Sequence, residues 1–215
     1  MLQATQEQPE IVSCFLRWAE AMADLKADEQ KIEFIRYHLS ILLNDKAAFR
    51  DILTCISKGD KYPNIHKAMM FDNEVLLYQA PGRLFSVRIF LWDHGEFTPV
   101  HDHNSWGVIG PVFGNLEVVK YEREDDRSVN DYACLKEISR SVLRPGQTDY
   151  TFPLNEGIHK TGNCDQNVTV SVSVYGTPLR RPFIQGFDLS QGRIFTIYAP
   201  KTKKKLLASR ALDQY

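Results

Sequence analysis

Between residues 9 and 57 the apolar positions recur every three to four residues. Phe15, Trp18, Ala19, Met22 and Leu25 form one series, Ile32, Ile35, Leu39 and Leu42 a second, and Phe49, Ile52 and Leu53 a third. That spacing puts each series on one face of a helix, and no glycine interrupts it before Gly59. The turn-forming run Lys58-Gly59-Asp60-Lys61-Tyr62-Pro63-Asn64 ends the pattern. From Val75 the rhythm changes to short runs rich in β-branched and aromatic residues. These are Val75–Tyr78, Phe85–Trp92, Val108-Ile109, Leu116–Tyr121, Ser139–Leu143, Asp149–Phe152, Val168–Tyr175 and, as the last strand, Arg193–Tyr198. Glycine, proline and acidic turns such as Pro81-Gly82 and Asp125-Asp126-Arg127 separate them. Helices first and many short strands after predict a mainly β sandwich or barrel with an N-terminal helical layer. Residues 1–62 read as the helical extension packed on the barrel and 63–215 as the barrel, one structural domain overall.

Composition narrows the function classes. The 215 residues are 43% hydrophobic and 25% charged, as in an ordinary globular chain, with a formal net charge of -1. Nothing in that balance favours a nucleic-acid or membrane partner. The basic run Lys201, Lys203, Lys204 and Lys205 reads as a solvated surface strand or turn. Cys14, Cys55, Cys134 and Cys164 form no C-x-x-C pair, which removes zinc-finger and redox-motif readings. The start of the chain carries Glu7 and Glu10 and has no basic segment followed by an apolar stretch, so no leader is expected. With no apolar run of membrane-spanning length, the expectation is a cytoplasmic protein with reduced thiols.

Chemistry concentrates in two stretches. The first is Gly95-Glu96-Phe97-Thr98-Pro99-Val100-His101-Asp102-His103. Residues i and i+2 of a strand share a face, so His101 and His103 can aim both imidazoles at one point while Asp102 faces away. Two neutral imidazoles suit zinc, iron, copper or nickel, although an H-x-H pair alone also occurs as two unrelated surface histidines. The second stretch starts with the turn Arg144-Pro145-Gly146-Gln147, leads to a strand ending near Pro153, and continues Glu156-Gly157-Ile158-His159. Gly157 allows a close backbone approach. In a rolled barrel His159 can face the first pair across the lumen, completing three nitrogens with positions left open.

Gly95 to His103 with Gly114, and Gly146, Pro153, Gly157, His159 and Asn163, resemble the two cupin motifs. The first motif usually supplies a glutamate ligand, but Asn104-Ser105-Trp106-Gly107-Val108-Ile109 holds no carboxylate. Three histidines without glutamate, together with Trp106-Gly107, Gly114-Asn115-Leu116 and Tyr175-Gly176, resemble the cysteine dioxygenase family, including bacterial mercaptopropionate dioxygenases. The resemblance runs from about Leu76 to Asp188. It implies a cupin double-stranded β-helix, a jelly-roll barrel. It also implies iron(II) on His101, His103 and His159, with zinc or nickel able to take the same ligands. The reaction it implies converts a small cysteine-like or mercaptopropionate-like thiol and O2 to a sulfinic acid, with no nucleic-acid or membrane partner.

The same resemblance makes Tyr175 the active-site tyrosine, at the end of a strand whose one face reads Ser171, Ser173, Tyr175. Family members carry a histidine where Ser173 stands, forming a relay that a water would have to complete here. Gly107 stands where animal members have a cysteine crosslinked to the tyrosine, so no crosslink is expected. The family's carboxylate-binding arginine or glutamine aligns with Glu74. If Glu74 lines the pocket, a cationic thiol such as cysteamine is favoured. If it faces solvent, Arg180 or Arg181 can hold the carboxylate of an acid. The second alternative is the one adopted, since a one-residue slip on this short strand turns the side chain to the other face. Two rival functions remain: a zinc-type three-histidine hydrolase, and a non-catalytic cupin that binds a metal or small ligand.

Overall fold

Three helices precede the strands in the computed structural model, which describes residues 9–67 and 69–214; Glu7, with the rest of residues 1–8, lies outside them. They are α1 (Glu10–Met22), α2 (Asp28–Leu42) and α3 (Lys46–Lys58). Each buries the stripe that its periodicity predicts: Ile11, Phe15, Trp18 and Met22; Ile32, Ile35, Leu39 and Leu42; Phe49 and Ile52. Asp45 caps α3 by accepting from the Ala48 N–H at 3.1 Å. Gly59, at φ 72°, closes that helix in the left-handed conformation that glycine adopts most easily.

Eleven strands follow: β1 (Glu74–Gln79), β2 (Phe85–Trp92), β3 (Val100–His101), β4 (Gly107–Phe113), β5 (Leu116–Arg123), β6 (Leu135–Leu143), β7 (Asp149–Thr151), β8 (His159–Asn163), β9 (Thr169–Gly176), β10 (Phe183–Asp188) and β11 (Arg193–Tyr198). They form a five-stranded sheet in the order β1-β2-β9-β4-β7 and a six-stranded sheet in the order β11-β10-β3-β8-β5-β6. All pairings are antiparallel; β1–β2, β5–β6 and β10–β11 are neighbours within one sheet, and the other successive strands cross between the sheets. This is the jelly-roll barrel of the cupin type, mainly β with an N-terminal helical layer.

The five-stranded sheet is buried on both faces, and alternation assigns every side chain to one of them. Phe85, Val87 and Ile89 of β2 and Val170, Val172 and Val174 of β9 join the helical stripes in one hydrophobic core. Phe15, Ile35, Leu39 and Phe49 in that core are fully buried, and each such side chain contributes about 1.5–3 kcal/mol of transfer free energy. The opposite face, including Phe90 and Trp92, packs with Ile109, Leu116 and Val118 inside the barrel. The helical layer thus seals one side of the sheet whose other side carries Arg88 and Tyr175.

Four elements depart from expectation. β6 begins at Leu135, not Ser139, because Lys136 to Val142 are exposed on both faces and offer no alternation to read. β10 was not anticipated; Gly186 interrupts its apolar pattern, and its pairing with β3 and β11 defines it. β8 starts at His159 itself. The lysine run belongs to a helix, α4 (Pro200–Leu212), rather than a strand or turn. Pro200 starts that helix and good helix formers extend it, but it buries no residue and so shows no apolar period. Among the described residues no helix is long and apolar enough to cross a membrane, and all four cysteines are free.

Candidate metal centre

Register brings the histidines together. His101 of β3 and His159 of β8 are directly paired, so their side chains share the lumen face. His103 lies two residues beyond His101, and its carbonyl accepts from the Leu154 N–H at 2.8 Å. Ring centroids are 4.8 Å apart for His101 and His103, 5.0 Å for His101 and His159, and 4.5 Å for His103 and His159. One nitrogen from each ring lies within 4.8 Å of the other two. The three imidazoles expected to converge do so.

Backbone carbonyls set the ring orientations. Nδ1 of His101 bonds the Pro99 carbonyl at 2.9 Å, and Nδ1 of His103 bonds the Gly157 carbonyl at 2.8 Å. A carbonyl only accepts, so each Nδ1 carries the proton and each Nε2 keeps its lone pair for a ligand. Nε2 of His103 is buried without a hydrogen-bond partner, the condition of a donor atom shaped for a cation. Gly157 is required here: a Cβ would sit 1.8 Å from the Phe152 carbonyl oxygen. Burial pushes His101 down to about 4, against the pull of the Pro99 carbonyl. Burial, and then neighbouring imidazoles, hold His103 and His159 well below the usual histidine range. Three neutral rings at neutral pH suit a divalent metal ion. Asp102 faces away as expected, accepting at Oδ1 from Arg181 Nη2 and from the Gln185 N–H, each at 2.7 Å.

A cavity of about 150 Å3 opens beside the cluster, lined by His101, His103, Tyr175, Arg88, Glu74 and Phe71 among others. The Tyr175 ring stacks 6.3 Å from that of His103. Burial above all, with Glu74 adding to it, pushes the phenol up to about 12, so it stays protonated and can donate. Gly107 faces Tyr175 across the β4–β9 ladder, and a Cβ there would come within 2.9 Å of the ring. Ser171 Oγ accepts from Trp92 Nε1 at 2.9 Å. Ser173 Oγ is buried on the same face beside the Tyr175 phenol, whose pKa it helps to hold down against burial, and makes no other hydrogen bond. Neither serine lines the cavity.

The substrate end differs from expectation more sharply. Glu74 does not face solvent; it is 5% exposed and lines the cavity. Its Oε2 accepts from the Met70 and Phe71 N–H groups at 2.9 and 3.2 Å, and its Oε1 pairs with Arg88 Nη1. These partners repay the desolvation of a buried carboxylate. The pairing also neutralises the charge that would have favoured a cationic thiol. Arg181 is no clamp either: it donates to Asp102 and, at 2.7 Å, to Asn104 Oδ1, fastening the segment after β9 to the histidine motif. Arg180 is exposed and outside the cavity.

The cationic residue missed in the sequence is Arg88. Its Nε donates to Ser86 Oγ at 3.2 Å, and its guanidinium lies 4.9 Å from the centre of the Tyr175 ring. Alternation alone would have found it. Ser86, Arg88, Phe90 and Trp92 share the lumen face of β2, and an arginine within an apolar barrel face marks a ligand or a buried partner.

No family model matches this chain. Among solved structures, a cupin superfamily protein from Desulfitobacterium hafniense is 13% identical over 48% of this chain and 74% of its own, with a TM-score of 0.34. A cupin-2 domain protein from Rhodospirillum rubrum is 11% identical over 54% of this chain and 66% of its own, at 0.39. The cupin domain of an XRE-family transcriptional regulator from Enterobacter cloacae is 15% identical over 49% of this chain and 95% of its own, at 0.34. The fold assignment rests on strand order and pairing, which make this chain a cupin-type barrel with a three-histidine cluster able to hold a divalent metal ion.

Proposed function

We propose that this chain is an iron(II)-dependent thiol dioxygenase, converting a small thiol RSH and O2 to the sulfinic acid RSO2H. Two S–O bonds form, sulfur loses four electrons, and O2 gains them, so no further reductant is needed. The observation that carries the reading is a cluster of three neutral imidazoles, with no carboxylate ligand, opening onto a cavity shared with Tyr175 and Arg88. The motif resemblance to the cysteine dioxygenase family supports it. His101, His103 and His159 would hold the metal, which when bound supplies a cationic, redox-active centre for thiolate and dioxygen.

The protein's own groups do the rest. Three uncharged ligands leave a metal's charge uncompensated, which favours an anionic thiolate. The protonated Tyr175 phenol donates a hydrogen bond into the cavity. Arg88, held in place by Glu74 and the Tyr175 ring, offers its remaining N–H donors to an acidic group on the substrate. Those free donors, rather than a net charge, would favour a thiol acid, cysteine-like or mercaptopropionate-like, over cysteamine, which brings no acceptor for them. A metal hydrolase is less well supported, because Glu74, the carboxylate beside Tyr175 in the cavity, is tied to Arg88, and Asp102 points away from the imidazoles to Arg181.

A second reading, a non-catalytic ligand-binding cupin, is favoured by Ser173, which stands in place of a relay group. Oxygen uptake by anaerobically purified, iron-loaded protein with mercaptopropionate, cysteine and cysteamine separates the two. The dioxygenase consumes one O2 per thiol and yields a product heavier by two oxygens. Thiol binding without uptake identifies the binding protein.

A further inference from the structure

The histidine cluster borders two cavities. The first, lined by His101 and His103, holds the charged groups already described. A second cavity of about 150 Å3 is lined by His159 together with Lys120, Tyr121, Ile138, Phe152 and Ile158. It sits at a seam in the barrel. β6 pairs only with β5 and β7 only with β4, so the edges of the two sheets are not joined by a ladder there. Lys120, opposite His159 in the β5–β8 register, spans the seam. Its ammonium donates to Asp149 Oδ1 at 2.6 Å and to the Tyr150 carbonyl at 2.9 Å.

The two cavities differ in polarity. In the first, Arg88 keeps free donors and Arg83 stands at the mouth. In the second, two of the inner polar groups are already bonded to protein. Lys120 is held as described, and Thr151 Oγ1 donates to the Gly157 carbonyl at 3.0 Å. Glu156, also in the lining, is exposed at the rim. The rest of the lining includes Ile138 and Phe152, whose apolar side chains suit a small, uncharged molecule. A thiol seated in the first cavity would cover the cluster from the His101 and His103 side. A second, apolar reactant would then need another approach.

We propose that the second cavity is a separate route for dioxygen to the histidine cluster, with Ile138 controlling its width. The proposal rests on the thiol dioxygenase reading, and its test separates the two. Ile138 is 53% exposed on an edge strand, so enlarging it is compatible with folding. Crystals of the wild type under xenon should show the gas between Ile138 and His159, and crystals of Ile138→Trp should not. In steady-state oxygen uptake, Ile138→Trp should raise the KM for O2 about tenfold and leave the KM for thiol unchanged. Metal content should also be unchanged, and Ile138→Phe should show a smaller rise in the same direction. Xenon absent from this cavity in the wild type, or an unchanged KM for O2 in both variants, overturns the proposal. If the iron-loaded wild type takes up no oxygen with any thiol, the functional reading fails, and xenon occupancy alone decides whether the cavity is a gas site.

Discussion

The two ends of the first cavity are held in place by different means. At the histidine end the aiming groups are main-chain atoms: strand register pairs His101 with His159, and the carbonyls of Pro99 and Gly157 orient two rings. At the opposite end the arrangement turns on an ion pair. Glu74 is held by Arg88 as well as by the Met70 and Phe71 N–H groups, and Arg88 by Glu74, Ser86 and the Tyr175 ring. Every residue type has the same carbonyl, so a site aimed by backbone is lost only where a substitution displaces the main chain, as a Cβ at Gly157 would. A site aimed by paired charges depends on both partners, and loss of one leaves a buried charge behind. The metal-holding end is thus the rigid part of the cavity, and the substrate end is where single substitutions redirect specificity.

The largest expected effect tests the rigid end. His159→Ala should lower metal affinity by more than about 100-fold, beyond the range seen for supporting residues. Metal analysis at equal protein concentration measures this. Retention of stoichiometric metal would show that the converging rings are not the ligands.

Glu74→Ala should cost about 3–5 kcal/mol of stability, since it strands Arg88 and two N–H donors. Denaturant unfolding reads this directly, and a loss under about 1 kcal/mol would mean the pair behaves as a solvated one. In the same variant the KM for a thiol acid should change while metal content does not.

The metal-free protein should also lose stability on acidification. His101 has its folded-state pKa pushed down from 6.5 to about 4 by burial. Below 6.5 the unfolded chain binds a proton that the folded ring refuses. Stability therefore falls as pH drops from about 6.5 to about 4, by about 3 kcal/mol for this residue, and levels off below. Unfolding at a series of pH values, with chelator present, checks the slope; a flat profile would contradict neutral, dry imidazoles.

Tyr175→Phe removes one hydrogen-bond donor from the cavity and should lower kcat by about 10- to 100-fold, with metal content unchanged. Normal turnover would reduce Tyr175 to packing. The smallest expected effect is that of Arg180→Ala, an exposed residue outside the cavity, which should leave the KM for thiol acids unaltered. A clear rise would restore Arg180 as a substrate contact and break the contrast between the two ends.

The sequence by itself determined everything that follows from local period. The helical stripes, most strands, the shared face of Ser171, Ser173 and Tyr175, and the H-x-H spacing are all statements about residues a few positions apart. The backbone geometry of helix and strand converts those spacings directly into faces. Even His159 was legible, through the glycine-bearing stretch before it. Only the tertiary structure decided the charges. Glu74 finds Arg88 14 positions away and Arg181 finds Asp102 79 positions away. A charge's partner is chosen by distance in space, which no spacing along the chain encodes. Exposed β6 and α4 escaped for the complementary reason. A surface element buries no face, so its sequence carries no apolar period, and in β6 the ladder to β5 is what makes it a strand.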